Sequence, residues 1–195
     1  YFISRFKQDL LSGNSFLGFM SASSLLESVH TFSVDGMANF FENQLGIDGQ
    51  IVMMSDERKA IYGSISFYPL GFFSGWFDYY HFEKGIDFNE LGYLWRDDYI
   101  QTKLGFQFQS LQRWYMIRNA SIILEGDMEK NTDKLDLGKA IELSYDLEFD
   151  NFWSTGGAFY KLMENYDDRK IFYGYDQYGP PILIPGYMEY YNYIS

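Results

Sequence analysis

The residues with the clearest capacity for chemistry lie in GKAIELSYDLEFD, Gly138 to Asp150. There Glu142, Ser144, Asp146, Glu148 and Asp150 alternate with Ile141, Leu143, Tyr145, Leu147 and Phe149. Alternate residues of an extended chain share a face, so carboxylates two positions apart stand roughly 6.5 to 7 Å apart, a separation that paired glycosidase carboxylates also use. Glu142, Asp146 and Glu148 are therefore candidate catalytic groups. The competing reading is a row of ionised side chains along a wet wall.

Other polar groups point less sharply. Asp127, Glu129, Asn131 and Asp133 alternate like the start of a calcium loop, but Thr132 stands where the loop needs glycine and no glutamate closes it. A solvated hairpin loop explains them equally. His30 and His81 are the only histidines and cysteine is absent, which excludes multi-histidine and thiolate metal sites. A serine triad has no Gly-x-Ser-x-Gly elbow to stand on. Gly36, Gly46, Gly49 and Gly63 do not compose a phosphate loop and read as turn and strand-bend glycines. Trp76, Trp95, Trp114 and Trp153 could each stack on a sugar ring, with placement in a core or an interfacial girdle as the alternative. No cofactor is expected.

The elements that must position these groups are strands. Leu104, Phe106 and Phe108 alternate with Gly105, Gln107 and Gln109, and looser versions of the same period run over 15–22, 120–125 and 171–176. Turn-like clusters such as Ser12-Gly13-Asn14, Asp56-Glu57-Arg58-Lys59, Lys130-Asn131-Thr132-Asp133 and Gly179-Pro180-Pro181 separate roughly a dozen strands of about ten residues, the length of a tilted membrane-spanning strand. The one helix predicted is short, Ala38 to Gln44.

The chain has 195 residues, 27 acidic and 15 basic side chains, and 21% aromatics, a balance that argues against nucleic-acid binding and against disorder. One domain, 1–195, is expected. A soluble sandwich also alternates, so the polarity of the hidden face has to decide. Aromatic residues gather beside the predicted turns, as at Tyr68, Phe72, Phe73 and Trp76, at Trp114 and Tyr115, at Phe152 and Trp153, and from Tyr187 to Tyr193. Rings with a polar edge at strand ends match the interfacial girdles of outer-membrane barrels, and a water-filled lumen hydrates carboxylates that a packed interior could not. The expected fold is an antiparallel, up-and-down, outer-membrane-type β-barrel with its apolar residues toward lipid.

Three passages together, RFKQDLLSGNSFLGFM (5–20), VDGMANFFENQLGIDGQIVMMSDERKAIYGSISF (34–67) and DFNELGYLWRDDYIQTKLGFQF (87–108), resemble the barrel-like domain of unknown function 5916 of Gram-negative bacteria. Asp87, Asn89, Glu90, Gly92, Arg96 and Asp98 are the most distinctive matched positions, and the resemblance covers about the first 110 residues. It implies an outer-membrane location, an upstream module similar to family-nine carbohydrate-binding domains, and a part in glycan handling. It implies no catalytic residue. Outer-membrane barrels usually end on an aromatic residue whereas this chain ends Tyr193-Ile194-Ser195, so further strands are expected beyond both ends.

The expected partners are outer-membrane lipid and, through the tryptophans, oligosaccharide. The role expected is passage, surface binding or anchoring of a carbohydrate-binding module. A soluble carbohydrate-binding β-protein is the alternative, and a glycan-cleaving enzyme acting through Glu142 and Glu148 is the third.

Overall fold

The computed structural model describes residues 2–24, 29–69, 71–86, 96–110, 112–174 and 177–195. Alternation becomes strand throughout. The long strands are β1 (Phe2–Leu10), β2 (Ser15–Ser24), β3 (Val29–Phe40), β4 (Leu45–Met54), β5 (Lys59–Phe67), β6 (Phe73–Phe82), β7 (Tyr99–Ser110), β8 (Ile117–Lys130), β9 (Asp136–Phe149) and β10 (Ser154–Leu162). Four short strands follow, β11 (Asn165–Asp167), β12 (Phe172–Gly174), β13 (Gln177–Tyr178) and β14 (Ile182–Ile184), and then β15 (Tyr187–Ile194). Strands β1 to β10 and then β15 form one eleven-stranded antiparallel sheet in up-and-down order. Inside the 163–186 connection β11 pairs with β14 and β12 with β13.

The all-β, up-and-down architecture expected from periodicity is the one observed, with two local corrections. The helix predicted over Ala38 to Gln44 is instead the end of β3 and a tight turn: Phe40 pairs with Leu45, and Phe41, Glu42 and Asn43 all have left-handed φ values, 52°, 57° and 68°. Left-handed residues reverse the chain with a twist that matches the flanking strands, whereas a continued helix would carry the chain away from β3. Of the strand expected over 171–176, Phe172–Gly174 is strand and Ile171 is a bend, with 175–176 outside the described residues.

The chain divides into two compact units, 1–68 with 77–102, and 69–76 with 103–195. In the first, cross-strand register puts Leu17, Phe19, Phe32, Val34, Ile47, Ile51, Ile61 and Ile65 on one face and Asp35, Asn39, Asp48, Gln50, Tyr62, Ser64 and Ser66 on the other. In the second, Ile122, Leu124, Ile141, Leu143 and Phe159 share a face, while Glu125, Asp127, Glu142, Ser144, Asp146, Glu148 and Tyr160 share the opposite one.

Exposure runs opposite to that of a water-soluble sheet. Along β9, Ile141 and Leu143 are exposed while Glu142, Ser144, Asp146 and Glu148 are half-buried. In the first unit Leu17, Phe19, Phe32, Ile47, Ile51 and Ile65 are exposed, whereas Ser33 is buried and Asp35, Asp48, Ser64 and Ser66 are partly shielded.

Correspondingly little apolar matter is buried. Among the described residues the buried apolar side chains are Ala22, Met54, Ala60, Ile86, Tyr99 and Ala158, and none of large volume is fully enclosed. Met54, Ala60 and Ile86 pack with Val52 and Phe82 into one small cluster in the first unit. A soluble domain of this length gathers its large aliphatic and aromatic side chains inside.

The connections also sort by edge within each unit. In the second, short turns after β7 and β9 lie at one edge, where the Asp150 amide bonds to the Met116 carbonyl at 3.0 Å. The 131–135 and 163–186 connections lie at the other edge, where the Asn131 amide donates to Asp168 at 3.0 Å.

Candidate functional site

The acidic face of the second unit is assembled by register between strands far apart in sequence. Glu125 of β8 stands directly opposite Glu142 of β9; Glu142 faces Tyr160 of β10, and Tyr160 faces Glu189 of β15. Three carboxylates and one phenol thus form a single row across four strands, half-buried at Glu125, Glu142 and Tyr160 and exposed at Glu189 on the edge strand. Neighbouring strands lie about 4.8 Å apart, and like charges directly opposite one another destabilise a sheet. Such a row is sustainable only where water or counter-ions reach it.

The remaining carboxylates are engaged individually. Glu148 accepts hydrogen bonds from Arg118 Nη1 at 3.1 Å and Asn119 Nδ2 at 2.6 Å, and Asp146 accepts one from the Tyr193 hydroxyl. At the opposite end of β9, Lys139 Nζ donates to Asp136 at 2.7 Å, with Lys130 Nζ 3.7 Å from the same carboxyl. Glu142 and Glu148 are six positions apart along one strand, roughly 20 Å at about 3.3 Å per residue, beyond the reach of a glycosidase pair. Asp146 and Glu148 keep the two-residue spacing, each already holding a neutral or cationic donor.

A recurring device shapes this shielded face: a side chain on one strand reaches over a glycine in the next. Arg5 Nη2 of β1 bonds Asp35 Oδ2 of β3 at 3.0 Å, and a Cβ placed on Gly18 of the intervening β2 would lie 2.6 Å from Asp35 Oδ1. In the second unit Tyr193 of β15 reaches Asp146 of β9 above Gly156, where a Cβ would lie 2.5 Å from the phenol oxygen. On the opposite face Asn192 donates to the Tyr145 hydroxyl at 2.8 Å beside Gly157. Trp76 fills the space of a missing side chain most completely, its ring carbons 2.1 Å from where a Gly105 Cβ would be. Register and side-chain reach create these pairs, and periodicity offered no signal for them.

The other expected site residues separate. Trp76 lies against Gly105 within the sheet, whereas Trp114 and Trp153 sit exposed in short turns of the second unit; Trp95 lies outside the described residues. Asp127 and Glu129 belong to β8. Asn131 is buried, and its amide oxygen accepts the Leu135 N–H at 2.8 Å to close the hairpin that carries exposed Asp133. Among the described residues no three His, Asp or Glu side chains form a group that could hold a metal ion. His30 Nδ1 lies 3.0 Å from Ser23 Oγ, and His81 packs edge-on to Tyr79.

No family model, curated protein or solved structure matches the chain. Of the positions that carried the resemblance, Arg96 and Asp98 are both buried, with Arg96 Nε 3.4 Å from the Asp98 carbonyl and Asp98 at φ 60°. Asp87, Asn89, Glu90 and Gly92 lie outside the described residues. Nearby, the Gly85 amide donates to the Asp97 carboxylate at 2.6 Å.

Proposed function

We propose that this chain forms part of an outer-membrane β-barrel, with the apolar face toward lipid and the acidic face toward a water-filled lumen. The observation that carries the reading is the inversion of polarity along β9: Leu143 is 45% exposed while Glu142, Ser144 and Asp146 are half-buried. In water that arrangement leaves apolar surface unburied at roughly 25 cal/mol per Å²; in a bilayer both faces find their preferred solvent. Strands of nine to fourteen residues, as in β8 and β10, span a hydrocarbon core when tilted.

Its role is that of an outer-membrane scaffold of the domain-of-unknown-function 5916 type, anchoring a carbohydrate-binding module or admitting glycans and small solutes. The acidic row at Glu125, Glu142 and Glu189 favours cationic over anionic solutes in such a lumen. The test is folding: the purified chain should acquire its sheet in detergent micelles or lipid vesicles and aggregate without them. A monodisperse, sheet-rich protein in plain buffer would sink the proposal in favour of the soluble carbohydrate-binding reading, for which the exposed Trp114 and Trp153 are the supporting observation.

A further inference from the structure

We infer that the shielded face of the first unit carries a binding site for a small organic ammonium ion, formed by the Tyr62 and Tyr80 rings with the Asp48 and Asp78 carboxylates. This rests on water reaching that face, as the lumen reading above requires, and adds to it a discrete site and a ligand class.

Register assembles the site. Gln50 of β4 stands opposite Tyr62 of β5 and Asp48 opposite Ser64, so Asp48 lies diagonal to Tyr62 on the same face. Diagonal neighbours across a strand pair remain within reach of an aromatic side chain. The Tyr80 ring of β6 tilts against Tyr62, with ring centres 5.0 Å apart and planes at 33°. That contact fixes Tyr80 on the same face, and the pleat puts Asp78, two residues earlier in the strand, there too. Asp48 acts electrostatically on both phenols, and Asp78 on Tyr80. All four residues are half-buried.

Neither carboxylate has a cation of its own. Among the described residues the ion pairs engage Asp9, Asp35, Asp56, Asp136, Glu148 and Asp150, and none reaches Asp48 or Asp78. Half-buried carboxylates beside aromatic rings are costly to ionise without compensation. Elsewhere the first unit supplies it internally, Arg5 to Asp35 and Arg58 to Asp56. At Asp48 and Asp78 that complement is left to a ligand.

The rings decide which cation. Calcium takes about six to eight oxygen ligands and magnesium gives up its water reluctantly, so two aspartates and two phenols offer too few oxygens for either. An organic ammonium ion gains instead from the negative faces of aromatic rings. Gly46, Ser64 and Ser66 continue the same face beyond Asp48 and Tyr62 with little bulk, Gly46 standing opposite Ser66. The carboxylate and the ring edges therefore stay approachable from that side.

The probe is tetramethylammonium, followed by ligand-detected nuclear magnetic resonance with the protein folded in maltoside micelles, which carry no ammonium group. It should bind saturably at millimolar concentration, whereas tert-butanol, uncharged and of similar shape, should not. Asp78→Asn should weaken binding about tenfold and Tyr80→Leu about three- to tenfold, with Tyr80→Phe close to the parent because the ring face remains. Asp133→Asn, which removes an exposed carboxylate of the second unit, should leave binding unchanged. No saturable binding, displacement of the probe by equimolar sodium, or equal weakening by Asp133→Asn overturns the site. Binding by a folded Tyr80→Leu variant as tight as the parent's overturns the ammonium assignment, since attraction to carboxylates alone needs no ring. Circular dichroism checks that each variant keeps its sheet; where Tyr80→Leu does not, weakened binding by Asp48→Asn beside unchanged binding by Tyr80→Phe decides for the site, and any other result against it. A sheet formed in plain buffer without micelles overturns the membrane reading, and the same titration run there decides the site separately.

Discussion

Tyr193 and Asp146 lie on strands that do not touch as neighbours, yet the phenol of one donates a hydrogen bond to the carboxylate of the other across the side-chain-free position at Gly156. The bond ties β15 to β9 over β10. A glycine usually weakens a strand, because it contributes no packing and loses more conformational freedom on folding. Here its emptiness is occupied by a partner from the next strand.

An Ala at 156 should therefore act as an overpacking substitution. Its Cβ would meet Tyr193 Oη at 2.5 Å and Asp146 Oδ2 at 2.9 Å, and displacing the phenol should cost about 1–3 kcal/mol. Tyr193→Ala alone should also destabilise, through the lost hydrogen bond and ring contact. Because both act on one contact, the double variant should lose less than the sum in denaturant unfolding from lipid vesicles. Strict additivity would show that the two positions are not coupled.

The Trp76 and Gly105 pair predicts a spectroscopic change. Gly105→Ala cannot keep the indole where it is, since the added carbon would overlap ring carbons at 2.1 Å. In a background with the other three tryptophans replaced by phenylalanine, the emission maximum should shift when Gly105 becomes alanine. An unchanged spectrum and midpoint would mean that the ring does not rest there.

The polarity of the two faces is separable by adjacent substitutions on β9. Leu143→Arg on the exposed face should cost about 2–4 kcal/mol if it sits near the bilayer midplane, whereas an exposed position of a soluble sheet would accept it within about 0.5 kcal/mol. Glu142→Gln removes a like-charge opposition with Glu125 and should be neutral or stabilising by up to about 1 kcal/mol. Equal tolerance of both changes in lipid-reconstituted unfolding would remove the membrane orientation of this strand.

The turn at 55–58 should carry its own pH dependence. Hydrogen bonding from the Arg58 side chain, with Arg58 Nε 2.7 Å from Asp56 Oδ2, holds the exposed Asp56 carboxyl below its ordinary value of 3.8. A folded-state value lowered below the unfolded one means that the contribution is complete above the ordinary carboxylate range and is lost as pH falls through the folded value. Amide-exchange protection at Arg58, whose N–H faces Asp56 Oδ1 at 3.4 Å, should drop across that acidic window. Asp56→Asn should flatten the profile, and an identical profile in that variant would assign the pH response elsewhere.

Much of the local architecture was legible in residue order. Alternation at 15–22, 104–109, 120–125 and 141–149 located β2, β7, β8 and β9, because a pleated strand sends successive side chains to opposite faces and leaves that period in the sequence. The helix expected at Ala38 to Gln44 failed because alanine and asparagine beside two phenylalanines carry a weak period. The reversal there depends on left-handed backbone at Phe41, Glu42 and Asn43, which residue type alone does not announce.

Sequence by itself determined the strands, the turns between most of them, and the membership of each face, so Ile141 and Leu143 had to lie opposite Glu142 and Asp146. Which face is shielded was decided only by tertiary structure, because alternation is symmetric between an inward and an outward apolar side. The partners were decided there too: Glu125 meets Glu142, and Tyr193 passes over Gly156 to Asp146, through register between strands 17 to 47 residues apart. Register is a sum of pairings along whole strands, and no short window of sequence contains it.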